Sequence, residues 1–530
     1  MEFSTVLLTL LALIVGSYLL DSAIFFSRDP LEPDHVRSRV PLIGHLLGIR
    51  RFGAGRYYDH VALDRSKQKS GIFTLPIFNF KLYVISQRSF IGAVQRHAKT
   101  LSFTPFSAKT SRKFSGLGDI ALRINDHLQG PPEAREYDRA QRAALSAGPD
   151  LDAMSLVAAK VMSSLVNGLV GKASEDEGSH IELYEWLRHL VAVSASEGMF
   201  GPMNPFRDPE HEADFWTFAE QAHLLVLGGL ASRLFARDAI NARERNGRRY
   251  EEYIRRGGHK EASGIVKERC RILKEAGATL RDLGRLNIGF DIAMLANYAP
   301  TTFWAVYEIF SRPELVDAIR DEVRKAVITS DAAADFMLDI SVLKTACPLL
   351  LSSIQEAQRV NSVHANIREV LRDTSLTIDG RQILLKKGNY LQLNGVSMLR
   401  SEETWGPDAV EFDPYRFIKM KKTPGTPGVA AASEMLPHAF SVWGVAPHVC
   451  PARWFATSGI MMLVAMLVLR LDVEVEGDLK GRKPKAANDF SALPSPGEPV
   501  PVLVRPRKEF EGGWDVRVGE SGARLQLSVA

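Results

Sequence analysis

Residues 443–456 read Trp443-Gly444-Val445-Ala446-Pro447-His448-Val449-Cys450-Pro451-Ala452-Arg453-Trp454-Phe455-Ala456. Cys450 stands between a glycine-containing loop and a long apolar stretch with helical character. That placement suits a thiolate held as a metal ligand. A thiolate in apolar surroundings needs backbone N–H groups, a helix N-terminus and a cation to stay ionised. Gly444 lets the loop approach closely. Pro451 suits the first turn of a helix, which is expected to run through Trp454 to Leu469. His448 lies two residues before the cysteine and Arg453 three after it. A buried structural cysteine is an equal reading of this stretch taken alone.

The chain has 530 residues, 45% of them hydrophobic and 24% charged, with a net charge of +4. These are ordinary globular values. No basic run with interleaved aromatics occurs, which argues against a nucleic-acid partner. The cysteines are Cys270, Cys347 and Cys450. They form no CxxC pair, so neither a disulfide framework nor a zinc site is indicated, and a reducing compartment fits.

Residues 4–20 carry no charge, and after Asp21 the apolar character continues through Phe26. A bilayer span takes about 20 residues, so 1–26 is expected to be a retained membrane anchor. A cleaved signal peptide is the rival, but a basic leading segment is missing. Arg28, Arg37 and Arg39 follow, diluted by Asp29, Glu32 and Asp34, so the positive-inside signal is weak. Prolines at 30, 33 and 41 make 27–48 a stiff linker, and 49–530 one catalytic domain. The middle, 131–345, is mostly helical in pattern. Strand-like runs fall at Lys81–Ile85, Ser375–Ile378, Tyr390–Leu393, Val473–Glu476 and Val500–Val504. The fold class is mostly α: a large α-helical domain with small β-sheets, plus an N-terminal transmembrane helix. Residues 421–437 look like an exposed loop. Trp454–Leu469 is uncharged but short for a second span, and reads as a buried core helix.

Three further stretches carry chemistry. Glu356 and Arg359 are three apart on one helix face; alone, they could be a surface ion pair of small value. In 405–417, Pro407 and Pro414 prevent a regular helix, and aromatics alternate with them in a packed meander. Arg416 sits there, and a buried arginine needs a carboxylate, for which Glu356 is available. Residues 288–310 form an apolar helix with a polar spot at Asn297. Pro300 lacks an N–H, so the Ala296 carbonyl loses its helical partner and a kink falls beside Asn297.

In this order and at these separations, the four stretches resemble the cytochrome P450 superfamily, from near Pro41 to the C-terminus. The family's cysteine loop, Phe-Gly-x-Gly-x-Arg/His-x-Cys-x-Gly, reads here Trp443, Gly444, Ala446, His448, Cys450, Ala452. Its Glu-x-x-Arg is Glu356 and Arg359, and its meander arginine is Arg416. Trp443, Ala446 and Ala452 depart from the pattern. The acid–threonine pair of the oxygen-activating helix is absent, with Ala296 and Asn297 in those places. Asn297-x-x-Pro300-x-Thr302-Phe303-Trp304 and Ile367-Arg368 are similar to the branch of sterol 7α- and 12α-hydroxylases and prostacyclin synthase.

The resemblance implies haem b with Cys450 as the iron ligand. Trp443, Arg368, His448, Glu356, Arg359 and Arg416 are implied as cofactor-associated residues, with Arg368 and His448 at the propionates. Asn297 with water, and Thr301, would organise proton delivery. The basic segment Arg135–Arg142 lacks the family's Trp-x-x-x-Arg, and no ligand is carried over there. Electrons would come from NADPH through NADPH-cytochrome P450 reductase. The body would face the cytosol from a single-pass anchor in the endoplasmic reticulum membrane. The implied reaction is oxygen insertion into a bulky, lipophilic sterol, terpenoid or polyketide-type substrate. A reductase-independent isomerase or dehydratase on the same fold, and a non-catalytic haem or sterol carrier, are the alternatives.

Overall fold

The computed structural model describes residues 9, 11–12, 15–23, 29–62, 71–77, 80–175, 178–227, 229–329, 335–363, 365–421, 438–487, 491–519, 525 and 527. Much of the anchor expected at 1–26, and nearly all of the loop expected at 421–437, lies outside them.

Helices dominate, and seven of them place the site. They are α1 (Pro132–Ala144), α2 (Pro149–Glu175), α3 (Leu183–Phe200), α4 (Leu280–Leu295), α5 (Tyr298–Phe310), α6 (Pro348–Asn361) and α7 (Arg453–Arg470). Their ends follow from capping chemistry. At the start of α4 the Thr279 hydroxyl accepts the Asp282 N–H and the Asp282 carboxylate accepts the Thr279 N–H, a reciprocal cap. Pro348 opens α6, and Glu322 accepts the free N–H groups of Leu349 and Leu350 at 2.8 and 2.9 Å. Helices α2 and α7 are both long and apolar enough to cross a membrane by length and composition. Yet α7 is buried along nearly its whole length in the main core, so its apolar run is core, not span.

The largest sheet has five strands: β1 (Ile72–Ile77), β2 (Phe80–Ile85), β3 (Leu101–Ser102), β4 (Ala365–Val370) and β5 (Tyr390–Asn394), in the order β1-β2-β5-β4-β3. Only β2–β5 is parallel. Arg368 on β4 stands opposite Leu391 on β5. A second sheet joins Leu471–Val475, Pro501–Pro506 and Ser179–Glu182, and a hairpin joins Thr374–Ile378 to Arg381–Leu385.

The segment expected as a linker, 27–48, belongs to the body from Glu32 onward. Glu32 is buried, and its carboxylate takes the Lys81 ammonium at 2.7 Å and the Tyr83 hydroxyl at 2.6 Å. Beside it the Val36 N–H donates to the Thr74 carbonyl and the Thr74 N–H to the Asp34 carbonyl, both at 2.8 Å, and Gly44–Phe52 is helical. A buried carboxylate with two donors outweighs the stiffness of three prolines.

Candidate active site

Helix α7 begins at Arg453, two residues after Pro451, which the sequence places in its first turn; Pro451 and Ala452 form a turn before it. The first amides of a helix have no partner within it. Here the N–H groups of Ala452 and Arg453 bond the Cys450 sulfur, and Arg453 places positive charge beside it. Burial, the largest effect, pushes the Cys450 thiol up, while those donors and that charge act toward the thiolate. The Cys450 N–H donates to the Trp443 carbonyl at 2.7 Å and closes the loop. Gly444 has φ +95°, and a Cβ there would stand 2.5 Å from the His448 carbonyl oxygen, so glycine is required. Ala446 and Ala452 are not among the residues with positive φ. Alanine therefore fits where the family pattern has glycine.

Around this loop lie buried polar groups that protein atoms leave unsatisfied. Arg368 is 3% exposed. Its guanidinium donates to the carbonyls of Ile367 at 2.7 Å and Val445 at 3.2 Å. No carboxylate among the described residues pairs with it, and burial pulls its pKa down to about 10. Burial, then the charges of Arg368, His127 and Arg142, pulls His448 down to about 3. The Nε2 of His448 and the Nε1 of Trp443 are buried without a partner among the described residues. A buried cation is costly without an anion. A soft thiolate ligand, a lone buried guanidinium and two idle ring N–H positions fit a haem, which brings a metal and two carboxylates. Cys450 would hold its iron, and Arg368, His448 and Trp443 its polar edge.

His127 and Arg142 escaped the sequence reading. Arg142, on α1, acts on both His448 and Arg453. The missing Trp-x-x-x-Arg led away from 135–142, yet the basic residue at the end of that segment is the one the fold delivers.

On the other side of the site the distal helix breaks where Pro300 requires. Helix α4 ends at Leu295, Ala296 and Asn297 form a turn, and α5 starts at Tyr298. The Thr301 N–H and hydroxyl both donate to the Asn297 carbonyl, at 3.2 and 2.6 Å. Thr301 is thus buried, with its hydroxyl proton directed to the Asn297 carbonyl and its oxygen lone pairs left to accept. The Asn297 side chain is exposed, and its Oδ1 accepts the Ala492 N–H at 2.8 Å. Ala293, one turn earlier, is also exposed, while Met294, Leu295, Tyr298 and Ala299 are buried. An open strip therefore runs along one face of an otherwise packed helix. Tyr298 ties this helix to that of the cysteine: its ring lies 6.3 Å from Phe455, and its hydroxyl fills the space over Gly459.

Glu356, Arg359 and Arg416 come together away from the loop. Both Arg359 and Glu356 are fully buried, bonded through two 2.8 Å contacts, and Arg416 Nε donates to Glu356 Oε1 at 2.9 Å. The remaining donors take the carbonyls of Leu399, Trp405, Ala409 and Glu411 and, from Arg416, both oxygens of the Asp408 carboxylate at 3.1 Å. These bonds are all to protein, so the three brace the meander under the cysteine loop rather than line the cofactor's place. Two guanidiniums thus meet two carboxylates, Glu356 and Asp408.

The family described as Cytochrome P450 matches residues 278–499, which contain every motif above. A cytochrome P450 monooxygenase, nodJ, of Hypoxylon pulicicidum is 32% identical over 511 residues, covering 94% of this chain and 95% of that one. Cytochrome P450 7B1 of Mus musculus is 24% identical, covering 88% and 90%. The 7-alpha-hydroxycholest-4-en-3-one 12-alpha-hydroxylase of Homo sapiens is 20% identical, covering 88% and 91%. Similarity at that level along nearly the whole of both chains, joined to a cysteine set at a helix start near the buried Arg368 guanidinium, leaves one conclusion: the chain belongs to the cytochrome P450 family and is a monooxygenase.

Proposed function

We propose that the enzyme is a membrane-anchored haem-thiolate monooxygenase that inserts one atom of O2 into a bulky lipophilic substrate of sterol, terpenoid or polyketide type. Electrons come from NADPH through NADPH-cytochrome P450 reductase, at the endoplasmic reticulum membrane. The observation that carries this reading is Cys450, with two amides and Arg453 turned to its sulfur. Haem b bound there supplies O2 activation, and its thiolate ligand favours O–O cleavage. Cys450 would hold the metal, Arg368 and His448 would hold the carboxylates, and Asn297 on the open strip would orient substrate or water where the usual acid is replaced by Ala296. The substrate class draws on the relative named as a 7-alpha-hydroxycholest-4-en-3-one 12-alpha-hydroxylase and on the Hypoxylon pulicicidum monooxygenase. The membrane reading draws on the apolar run in 1–26 and on exposed Ile43, Leu46, Leu47, Leu234 and Phe235. Exposed apolar patches mark contact surfaces.

The test is expression in microsomes containing the reductase, supplied with a lipid extract of the native host. NADPH-dependent mass gain of one oxygen supports the proposal and identifies the substrate. Conversion without NADPH, at unchanged composition, would instead make the enzyme an isomerase.

A further inference from the structure

Three segments beside the open strip meet at one residue. The Ala492 N–H donates to Asn297 Oδ1 at 2.8 Å. The Ala492 carbonyl accepts the Val363 N–H at 2.8 Å and the Ser362 hydroxyl at 3.3 Å. Two residues on, the Pro494 carbonyl accepts Trp304 Nε1 at 2.7 Å. Asn297 and Trp304 are seven apart, close to two full turns, and so share a face. The strand of chain through 492–494 is thus fastened along the distal helix at two points and to the end of α6 at a third.

A carboxamide has one acceptor end and one donor end. The Ala492 N–H can engage only the acceptor, and no described residue takes up Nδ2. We propose that Ala492 is a positioning residue whose amide fixes the Asn297 carboxamide in one orientation, so that the distal helix offers a hydrogen-bond donor and selects a substrate with an acceptor oxygen at that point. The flipped amide would set Nδ2 against the Ala492 N–H, donor against donor. A ketone, ether or hydroxyl oxygen is the matching group; a bare hydrocarbon there leaves the donor unpaired. This rests on Asn297 facing substrate, as proposed above.

Two measurements on the purified holoenzyme separate the clamp from that premise. Asn297→Asp keeps an acceptor for Ala492 but loses the donor; Asn297→Leu loses both. Hydrogen exchange of the peptide containing Ala492 should be slow in the wild type and in Asn297→Asp, and about tenfold faster in Asn297→Leu. Equal exchange in all three overturns the clamp. Binding is then read from haem difference spectra with ketone–hydrocarbon pairs of sterol and diterpene skeletons. The wild type should favour the ketone by about tenfold in at least one pair, and both variants should lose that preference. Intact exchange behaviour with no preference in any pair overturns the donor role, and with it the placing of Asn297 against substrate.

Discussion

Cys450 draws its character from neighbours within three residues, which is why it was legible in the chain. The amides of Ala452 and Arg453 and the Arg453 charge all follow it directly. Cys450→Ala should therefore abolish the thiolate signature in the reduced carbon monoxide difference spectrum together with activity, while the apoprotein folds. His127 and Arg142 were not legible, because their effect on His448 crosses some 300 residues of sequence and exists only once α1 is packed. A second residue tests the core by pH. His211 is 0% exposed, with both ring nitrogens unpartnered among the described residues, between Phe206 at 4.6 Å and Tyr250 at 5.0 Å. Burial, then the charge of Arg249 against that of Asp214, lowers its pKa from 6.5 to about 3. The folded protein holds this histidine neutral where the unfolded chain would protonate it. Its contribution is fully present above about pH 6.5 and is lost as pH falls toward 3, by about 1.4 kcal/mol per unit. Denaturant titrations should show about 2 kcal/mol less stability at pH 5 than at pH 7 from this group, and His211→Phe should remove that part of the slope.

At the scale of elements, the contact between α5 and α7 is the one that joins the two halves of the site. A Cβ on Gly459 would stand 2.0 Å from the Tyr298 hydroxyl and 3.3 Å from its ring carbon. Gly459→Ala should cost about 1–3 kcal/mol by overpacking, measured as a fall in denaturant midpoint, and Tyr298→Phe should restore most of it in the double variant. The brace under the meander fails differently. Glu356→Ala leaves Arg359 buried without a carboxylate, and loss of one partner from such a pair costs about 3–5 kcal/mol. Thermal unfolding should fall, with haem retention falling alongside. Both elements were partly legible. Glu356, Arg359 and Arg416 asked for one another by charge, and Pro300 announced the break at Ala296–Asn297. The five strand-like runs were legible too, as short apolar-rich stretches that fall on strands. The body-bound segment after Glu32 was not, because its partners Lys81 and Tyr83 lie about fifty residues on and nothing local shows that the carboxylate is buried.

For the whole molecule, the proposed membrane contact is what a truncation tests. Two separate features bear on it: the apolar run within 1–26, and an apolar face carried by the body. On the helix Gly44–Phe52, Leu46 and Leu47 are half-exposed, with Ile43 just before it, and Arg50 and Arg51 stand in its last turn. Leu234 and Phe235 are exposed at the end of another short helix. Fully burying such a side chain is worth about 1.5–3 kcal/mol, so several half-buried ones give a weak, reversible hold, and stable anchoring generally takes two signals. Deleting residues 1–26 should therefore leave a folded body that retains the thiolate spectrum and still partitions partly onto phospholipid vesicles in a flotation assay. Adding Leu46→Glu and Leu47→Glu to that deletion should release it, because burying a carboxylate costs far more than the remaining apolar contacts return. The same two substitutions in the full chain should leave it in the membrane fraction, since the leading run alone is long enough to span. A deleted body that stays wholly in solution would confine the membrane contact to the N-terminal run.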